Sequence, residues 1–327
     1  MTLSPSPRLT VISAWFNRTE GLEESVNSLL DQKGVEFDFV VIDDCSTDET
    51  SARLAAISHP RLRILRNSRN MGFTASIRRA AEEARGDYIA IHGAGDLSLP
   101  GRLAAQMAFL ETNPEHVAVG TGVVNYELGS GRREVIQFPP LEGSNTPYTH
   151  GEVMFCRTAY EAVGGYRTVF HFSQDSDLWR RLGEIGRLGR IGEVFYERRI
   201  FADGVARNRS KEVLQAIFSN LGVHAAQERA AGRRDPVDRL GAAALLTQPM
   251  TARFKARGTF VIRVLLREWR FAEAKSLLES VPLGLLTWKL LLLYLLLAPI
   301  YRKPKLQPVP PVETWRGAKA HGTRKDA

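Results

Sequence analysis

Two hydrophobic periodicities alternate along the first third of the chain. Residues 9–16 form a mostly apolar run that reads as a buried strand, and the segment after it carries Leu22, Val26, Leu29 and Leu30 on one helical face. Residues 37–42 are a second run rich in β-branched side chains. Residues 61–66 alternate as a half-exposed third strand, and residues 88–92 make a fourth. Helical spacing fills the gaps. Residues 73–84 carry Ile77, Ala80, Ala81 and Ala84 inward, and Pro100 opens a helix with Leu103, Met107 and Leu110 at i, i+4, i+7. Asn17 with Glu20, and Ser46 with Glu49, have the spacing of a capping box, the second opening a helix to about residue 57. Strand–helix alternation with short polar turns predicts an α/β fold built on a parallel sheet covered on both faces.

The pattern loosens after residue 116. Residues 117–120 and 153–156 read as strands, 127–147 as a Gly- and Pro-rich loop, and 173–186 as a helix with Leu178, Leu182 and Ile185 inside. Beyond residue 206 the composition shifts to Ala, Leu, Arg and Glu, which predicts a helical appendage. The expected organisation is a main domain over 1–205, an appendage over 206–281, an apolar helix over 282–301 and a basic disordered tail over 302–327. The apolar helix approaches the roughly 20 residues needed to span a bilayer. Lys289 interrupts it, Pro299 ends it, and Trp288, Tyr294 and Tyr301 beside Arg302-Lys303 resemble interfacial anchors. It reads either as a membrane-associating segment or as a packing helix.

Composition narrows the field further. Across 327 residues the hydrophobic share is 44% and the charged share 24%, so a sizeable core is expected and global disorder is not. The net charge of +8 sits largely in the tail, where Arg302, Lys303, Lys305, Arg316, Lys319, Arg324 and Lys325 face only Glu313 and Asp326. That balance suits an anionic membrane surface. No nucleic-acid-binding motif accompanies it, so nucleic acid is not an expected partner. Cys45 and Cys156 have neither disulfide-framework nor metal spacing, which fits a reducing compartment. Residues 1–8 lack the basic-then-apolar pattern of a signal peptide, so the expected location is cytoplasmic, at the inner face of the cell membrane.

Open α/β sheets bind ligands beyond the carboxyl ends of their strands. Asp43 and Asp44 stand at the second strand's end and Asp96 just past the fourth, so all should converge on one crevice. Turn chemistry is the alternative reading of Asp44, because Asp-Cys-Ser-Thr-Asp also makes a good turn. Residues 14–19 contain no G-x-G-x-x-G, which argues against a dinucleotide-dependent dehydrogenase.

Seven short segments, in order, resemble family 2 glycosyltransferases. Val41-Ile42-Asp43-Asp44-Cys45-Ser46-Thr47-Asp48 resembles the family's V-x-D-D-x-S-x-D. Asn70-Met71-Gly72-Phe73-Thr74 resembles its N-x-G turn, and Gly86-Asp87-Tyr88-Ile89-Ala90 its G-(E/D)-Y-I-A strand entry. Ser98-Leu99-Pro100-Gly101-Arg102-Leu103 matches the helix that follows. Met154-Phe155-Cys156-Arg157, Gly164-Gly165-Tyr166 and Gln174-Asp175-Ser176-Asp177-Leu178-Trp179 match M-F-R-R, G-G-Y and E-D-x-D-L-W. The similarity covers residues 8–205 and implies the GT-A fold, a mostly parallel mixed sheet with helices on both faces. It also implies sugar transfer, with inversion, from a nucleoside-diphosphate donor to a glycan or lipid-linked acceptor in cell-surface polysaccharide or glycolipid synthesis.

Carried over by position, the resemblance puts Ser13, Ala14, Asp43, Asp44, Asn70, Gly72, Arg78, Gly95, Asp96 and Arg199 around the donor, and makes Asp175 the general base. A carboxylate suits each role, accepting ribose or imide hydrogen bonds in one case and an acceptor proton in the other. Asp175 read alone is equally a helix N-cap, and Arg199 a surface charge. The family usually carries D-x-D after the fourth strand to hold Mg²⁺ or Mn²⁺; here those positions are Gly93 and Gly95, leaving Asp96 as the metal carboxylate. Two outcomes stay open. Either Arg78, Arg79, Arg198, Arg199 and the Gly-rich turn meet the diphosphate charge, or the chain is a catalytically silent nucleotide-sugar-binding or scaffold subunit. His92, His150 and His171 are the remaining potential ligands.

Overall fold

The structure, a computed structural model, describes residues 8–138, 148–201 and 209–249. The apolar 282–301 segment, the basic 302–327 tail, the rest of the appendage beyond 249 and part of the 127–147 segment lie outside the described residues.

The first strands fall where the hydrophobic runs put them. β1 (Leu9–Trp15) pairs in parallel with β2 (Phe37–Asp43) on one side and β4 (Tyr88–Ile91) on the other, and β2 pairs in parallel with β3 (Leu62–Arg66). Every residue of β1 is buried, because side chains of alternate parity enter separate layers. Ile12 and Ala14 join Val40 and Ile42 under Ile77 and Ala80 of α3 (Phe73–Glu82). Val11 and Trp15 join Phe39 and Val41 under Leu22, Val26 and Leu29 of α1 (Leu22–Leu30) and Leu103 of α4 (Arg102–Thr112). Each wholly buried side chain of this size contributes roughly 1.5–3 kcal/mol against exposure.

The rest of the sheet turns mixed. Its order is β3-β2-β1-β4, then Met154–Cys156 (β8), His116–Glu127 (β6), Arg187–Ile200 (β9) and Leu97–Ser98 (β5), with Arg132–Val135 (β7) paired to β6. β8 (Met154–Cys156) runs antiparallel to β4 and to β6 (His116–Glu127), while the long β9 (Arg187–Ile200) runs parallel to β6 and antiparallel to β5 (Leu97–Ser98). This is the mostly parallel mixed sheet of the GT-A fold.

Several expectations need correction. The expected loop over 127–147 begins as a hairpin, because β7 (Arg132–Val135) pairs with the end of β6. β5, β9 and the short α5 (Arg157–Ala162) lie where no strand or helix was expected. Neither capping box forms. α1 starts after Gly21 at φ +68°, and α2 (Thr50–Ala55) starts where Asp48 accepts the Thr50 N–H at 2.9 Å. The two expected cap residues bond to each other's loop instead. The Asn17 N–H donates to Ser46 Oγ at 3.0 Å, and Asn17 Oδ1 accepts the Thr47 N–H at 2.8 Å.

The helical segment after residue 208 docks on α6 (Gln174–Gly183). α7 (Arg209–Ala230) sets Phe218, Leu221 and Ala225 against Phe170 and against Val237 of α8 (Pro236–Leu240). A buried ion network reinforces the contact. Arg167 pairs with Asp177 and with Asp235 (2.8 Å to the latter), Arg181 pairs with Asp177 at 2.7 Å, and Arg229 reaches Asp235 and Glu184. Among the described residues no helix is long and apolar enough to cross a membrane.

Candidate active site

The carboxyl tips of β1, β2 and β4 open onto one edge of the sheet. Asp44, just past β2, is buried and acts as the hub of that edge. Its Oδ1 accepts from Asn67 Nδ2 at 2.7 Å and the Met71 N–H at 2.8 Å, and its Oδ2 accepts the Gly72 N–H at 2.9 Å. Asn70 Oδ1 adds a longer bond to the Gly72 N–H at 3.2 Å, in a turn that needs glycine because φ is +84°. Asp43 is taken up by its surroundings, accepting from the Ser46 N–H of the following loop, Ser51 Oγ of α2 and Arg66 at the end of β3. Ser13 is fully buried on the sheet face shared with Val11 and Trp15, so it does not line an open crevice; Ala14 beside it retains 7% exposure.

The turn after β4 is packed where the family usually holds a metal. The Asp96 carboxylate folds back over Gly93. Its Oδ2 accepts from Tyr196 Oη at 2.8 Å, its Oδ1 accepts the Arg199 N–H at 2.8 Å, and the Gly93 N–H donates to the same Tyr196 Oη at 2.9 Å. Burial pushes the Asp96 carboxyl up to about 6, against the lowering effect of those two donors. A Cβ on Gly93 would meet Asp96 Oδ2 at 2.2 Å, and one on Gly95, at φ +90°, would meet Phe201 Cζ at 2.6 Å. Thus the space that two more side chains would need is already filled. Among the described residues no group of three or more His, Cys, Asp or Glu is arranged to hold a metal ion. One buried carboxylate with both oxygens engaged is a poor fit for Mg²⁺ or Mn²⁺.

The histidines do not assemble around it. His92 is buried, touches Ser25 Oγ at 3.0 Å and is pulled down to about 3, first by burial and then by Arg102. His171 lies against Phe218, at 5.9 Å between ring centroids. The arginines expected at the diphosphate have protein partners. Arg199 is 7% exposed and pairs with Glu24 at 2.7 Å, and Arg198 bonds Asn125 at 2.8 Å. Arg78 pairs with Glu82 at 3.0 Å, and Arg79 bonds the Arg66 carbonyl and Asn67 Oδ1.

Asp175 is half-buried in the first turn of α6, which begins after Ser173 at φ +56°. It is not the cap. Its Oδ1 accepts the neighbouring Ser176 N–H at 2.8 Å. Half-buried His150 and buried Tyr166, joined at 2.8 Å, both feel its charge. Burial lowers the His150 pKa despite that charge, so the imidazole is neutral near pH 7. The Phe73 ring stands 5.3 Å from His150, edge to face. A continuous path therefore joins the tips: Asp44 fixes Gly72, Phe73 follows it at the start of α3, and Phe73 leans on the His150 that neighbours Asp175. Asp177, by contrast, is wholly structural, clasped by Arg167 and Arg181.

With this geometry stands a match to the family model for glycosyl transferase family 2, over residues 10–175. The chain belongs to glycosyl transferase family 2. It is 34% identical over 215 residues to the putative glycosyltransferase EpsE of Bacillus subtilis, spanning 63% of this chain and 77% of that protein. It is also 34% identical over 113 residues to the succinoglycan biosynthesis protein ExoO of Rhizobium meliloti, spanning 35% of this chain and 32% of that protein. Among solved structures it resembles the mannosyltransferase PcManGT from Pyrobaculum calidifontis in complex with GDP-Man and Mn²⁺, with TM-score 0.55, 20% identity and coverage of 90% and 86% of the two chains. S. aureus TarS in complex with UDP-GlcNAc aligns with TM-score 0.53, 15% identity and coverage of 85% and 82%.

Within this family 2 site, the sequence reading missed Tyr196, Glu197, Phe201, Asn67 and Arg18. Glu197, 3% exposed, lies 3.5 Å from Arg199 Nε, and the Arg18 guanidinium stacks on the Phe201 ring at 3.9 Å. The aromatic-and-charged run from 195 to 201 was the available signal, since such residues so close together seldom all face water.

Proposed function

We propose that this family 2 chain transfers a sugar from a nucleoside-diphosphate donor to a glycan or lipid-linked acceptor, with inversion at the anomeric carbon. The path from Asp44 through Gly72, Phe73 and His150 to Asp175 supports the reading, because it links a carboxylate-organised strand tip to a half-buried carboxylate. Asp44 and the 70–72 turn frame the nucleotide, with Ala14 alongside. The Asp175 carboxylate takes the proton of the acceptor hydroxyl as that oxygen bonds to the anomeric carbon. The bond to the donor phosphate breaks on the opposite side, and the nucleoside diphosphate leaves with the electron pair. The names of EpsE and ExoO support a role in polysaccharide synthesis, and the donors seen with PcManGT and TarS support a nucleoside-diphosphate sugar. The apolar 282–301 segment and basic tail would keep the enzyme at the cytoplasmic face of a membrane, near a lipid-linked acceptor.

Donor turnover, followed by nucleoside-diphosphate release from UDP- and GDP-sugars, tests the assignment. Asp175→Asn should keep donor affinity within a few-fold and lose roughly 10²- to 10⁴-fold in turnover. Equal turnover in the variant removes Asp175 as base, and a product that retains the donor's anomeric configuration rules out inversion. Gly93 and Gly95 at the D-x-D positions favour one rival, a silent nucleotide-sugar-binding subunit. Tight donor binding without turnover under every metal condition would select it.

A further inference from the structure

We propose that Phe73 and His150 form a subsite for the acceptor, and that the acceptor presents a pyranose ring with two adjacent hydroxyls to His150 and Asp175. The inference rests on the reading of this crevice as a sugar-transfer site with Asp175 as its base. Its first support is the position of the proton on His150. Tyr166 is fully buried, and among the described residues its hydroxyl has one hydrogen-bond partner, His150 Nε2 at 2.8 Å. Burial holds the phenol well above its ordinary pKa, so it keeps its proton. A buried hydroxyl proton needs an acceptor. The Tyr166 O–H therefore donates to Nε2, and the neutral imidazole carries its own hydrogen on Nδ1.

Among the described residues no protein group bonds that Nδ1–H. The ring is only half-buried, and it stands near enough to Asp175 to feel the carboxylate. The second support is the wall around it. Phe73 keeps 41% exposure although its side chain is large and apolar. Tyr166 and Trp179 stand 5.8 and 6.3 Å from the imidazole, centroid to centroid. Thr74 Oγ1 donates to the Phe170 carbonyl at 2.6 Å, tying the start of α3 to the segment that leads into α6. An exposed aromatic ring, one N–H donor and one carboxylate suit a pyranose. The C–H groups on one face of the sugar cover the aromatic ring, and the hydroxyls at its rim meet the polar groups. Of two adjacent hydroxyls, one accepts from Nδ1 and the other gives its proton to Asp175. A flexible polyol has no such apolar face, and a phosphate at this place would set its negative charge against Asp175.

Nitrogen-15 NMR of the full chain labelled in its histidine rings tests this, with His150→Gln assigning the signals. At neutral pH the wild type should show His150 as the neutral Nδ1–H tautomer. Methyl pyranosides of gluco, galacto and manno configuration are then titrated in saturating UDP or GDP, beside glycerol and ribitol. At least one pyranoside should shift the His150 ring signals, and the two polyols should not. Phe73→Ala should weaken that pyranoside roughly 3- to 10-fold, and Phe73→Tyr, which keeps the ring, should restore it. Thermal midpoints matching the wild type would show that the variants fold. An Nε2–H tautomer, an imidazolium, or polyol shifts equal to those of the pyranosides would overturn the inference. So would a pyranoside affinity indifferent to Phe73→Ala, or a wild type that binds a diphosphate but no pyranoside; the donor site stands in all these cases. Binding of neither UDP nor GDP by the wild type overturns the donor site itself, and the inference with it.

Discussion

The two halves of the sheet do different work at a shared edge. In the β3-β2-β1-β4 half the strands are parallel, the central β2, β1 and β4 are mostly apolar and covered on both faces, and the tips present backbone-binding carboxylates such as Asp44. In the β8-β6-β9-β5 half, pairing is mixed, β6 and β9 slip register at several points, and β9 carries polar and charged side chains. Yet the second half decides what the first half's tips can bind. Tyr196, Arg199 and Phe201, from β9 and just after it, close on Asp96 and Gly95 and refill the space around the missing D-x-D carboxylates. A regular scaffold supplies the crevice, and an irregular strand sets its chemistry.

Substitutions can break this division of labour. The largest stability effect should come from the ion network behind the second half. Arg167→Ala leaves buried Asp177 and Asp235 with Arg181 and Arg229 as remaining partners, so urea unfolding should show a loss of about 3 kcal/mol, the low end for breaking a buried pair. A cost under about 1 kcal/mol would make α7 and α8 bystanders.

A smaller effect probes the meeting point of the halves. Asp96 has a folded-state pKa of about 6, above the ordinary carboxylate value. The folded protein thus holds this proton more tightly than the unfolded chain. The stabilising contribution is full below about pH 4 and is lost as pH rises through 6. Asp96→Asn does not titrate. The stability of the wild type minus that of the variant should fall by about 2 kcal/mol from pH 4 to pH 8. His92 works in the opposite direction, losing stability as pH falls below 6.5, but it is common to both proteins and cancels. A flat difference would mean that Asp96 ionises as it does in water. The smallest effect should come from the first half's loops: Asn17→Ala removes the bond to the Thr47 N–H and should cost about 1 kcal/mol by thermal unfolding.

What the sequence made legible follows the same line. The early strands are readable because residues such as Val40, Val41 and Ile42 are apolar on both faces, a pattern only a covered parallel strand tolerates. The short motifs predicted the family and gathered Asp44, Gly72 and Asp175, whose local turns are encoded by adjacent residues. β9 escaped because Arg187, Arg190, Glu193, Glu197, Arg198 and Arg199 disguise a strand that finds its partners far away in the chain. The capping boxes misled for a related reason, since Asn17 and Ser46 satisfy each other across 29 residues. Likewise, the filling of the Gly93 and Gly95 spaces depends on Tyr196 and Phe201, about a hundred positions away, which no local window reveals.

Amide hydrogen exchange of the full chain, with and without a saturating nucleoside diphosphate, tests the central claim most directly. Joint slowing is predicted at residues 14–20, 44–47, 67–73 and 92–97, the loops that meet at the strand tips. Protection confined to any other part of the molecule would contradict a donor crevice at this edge.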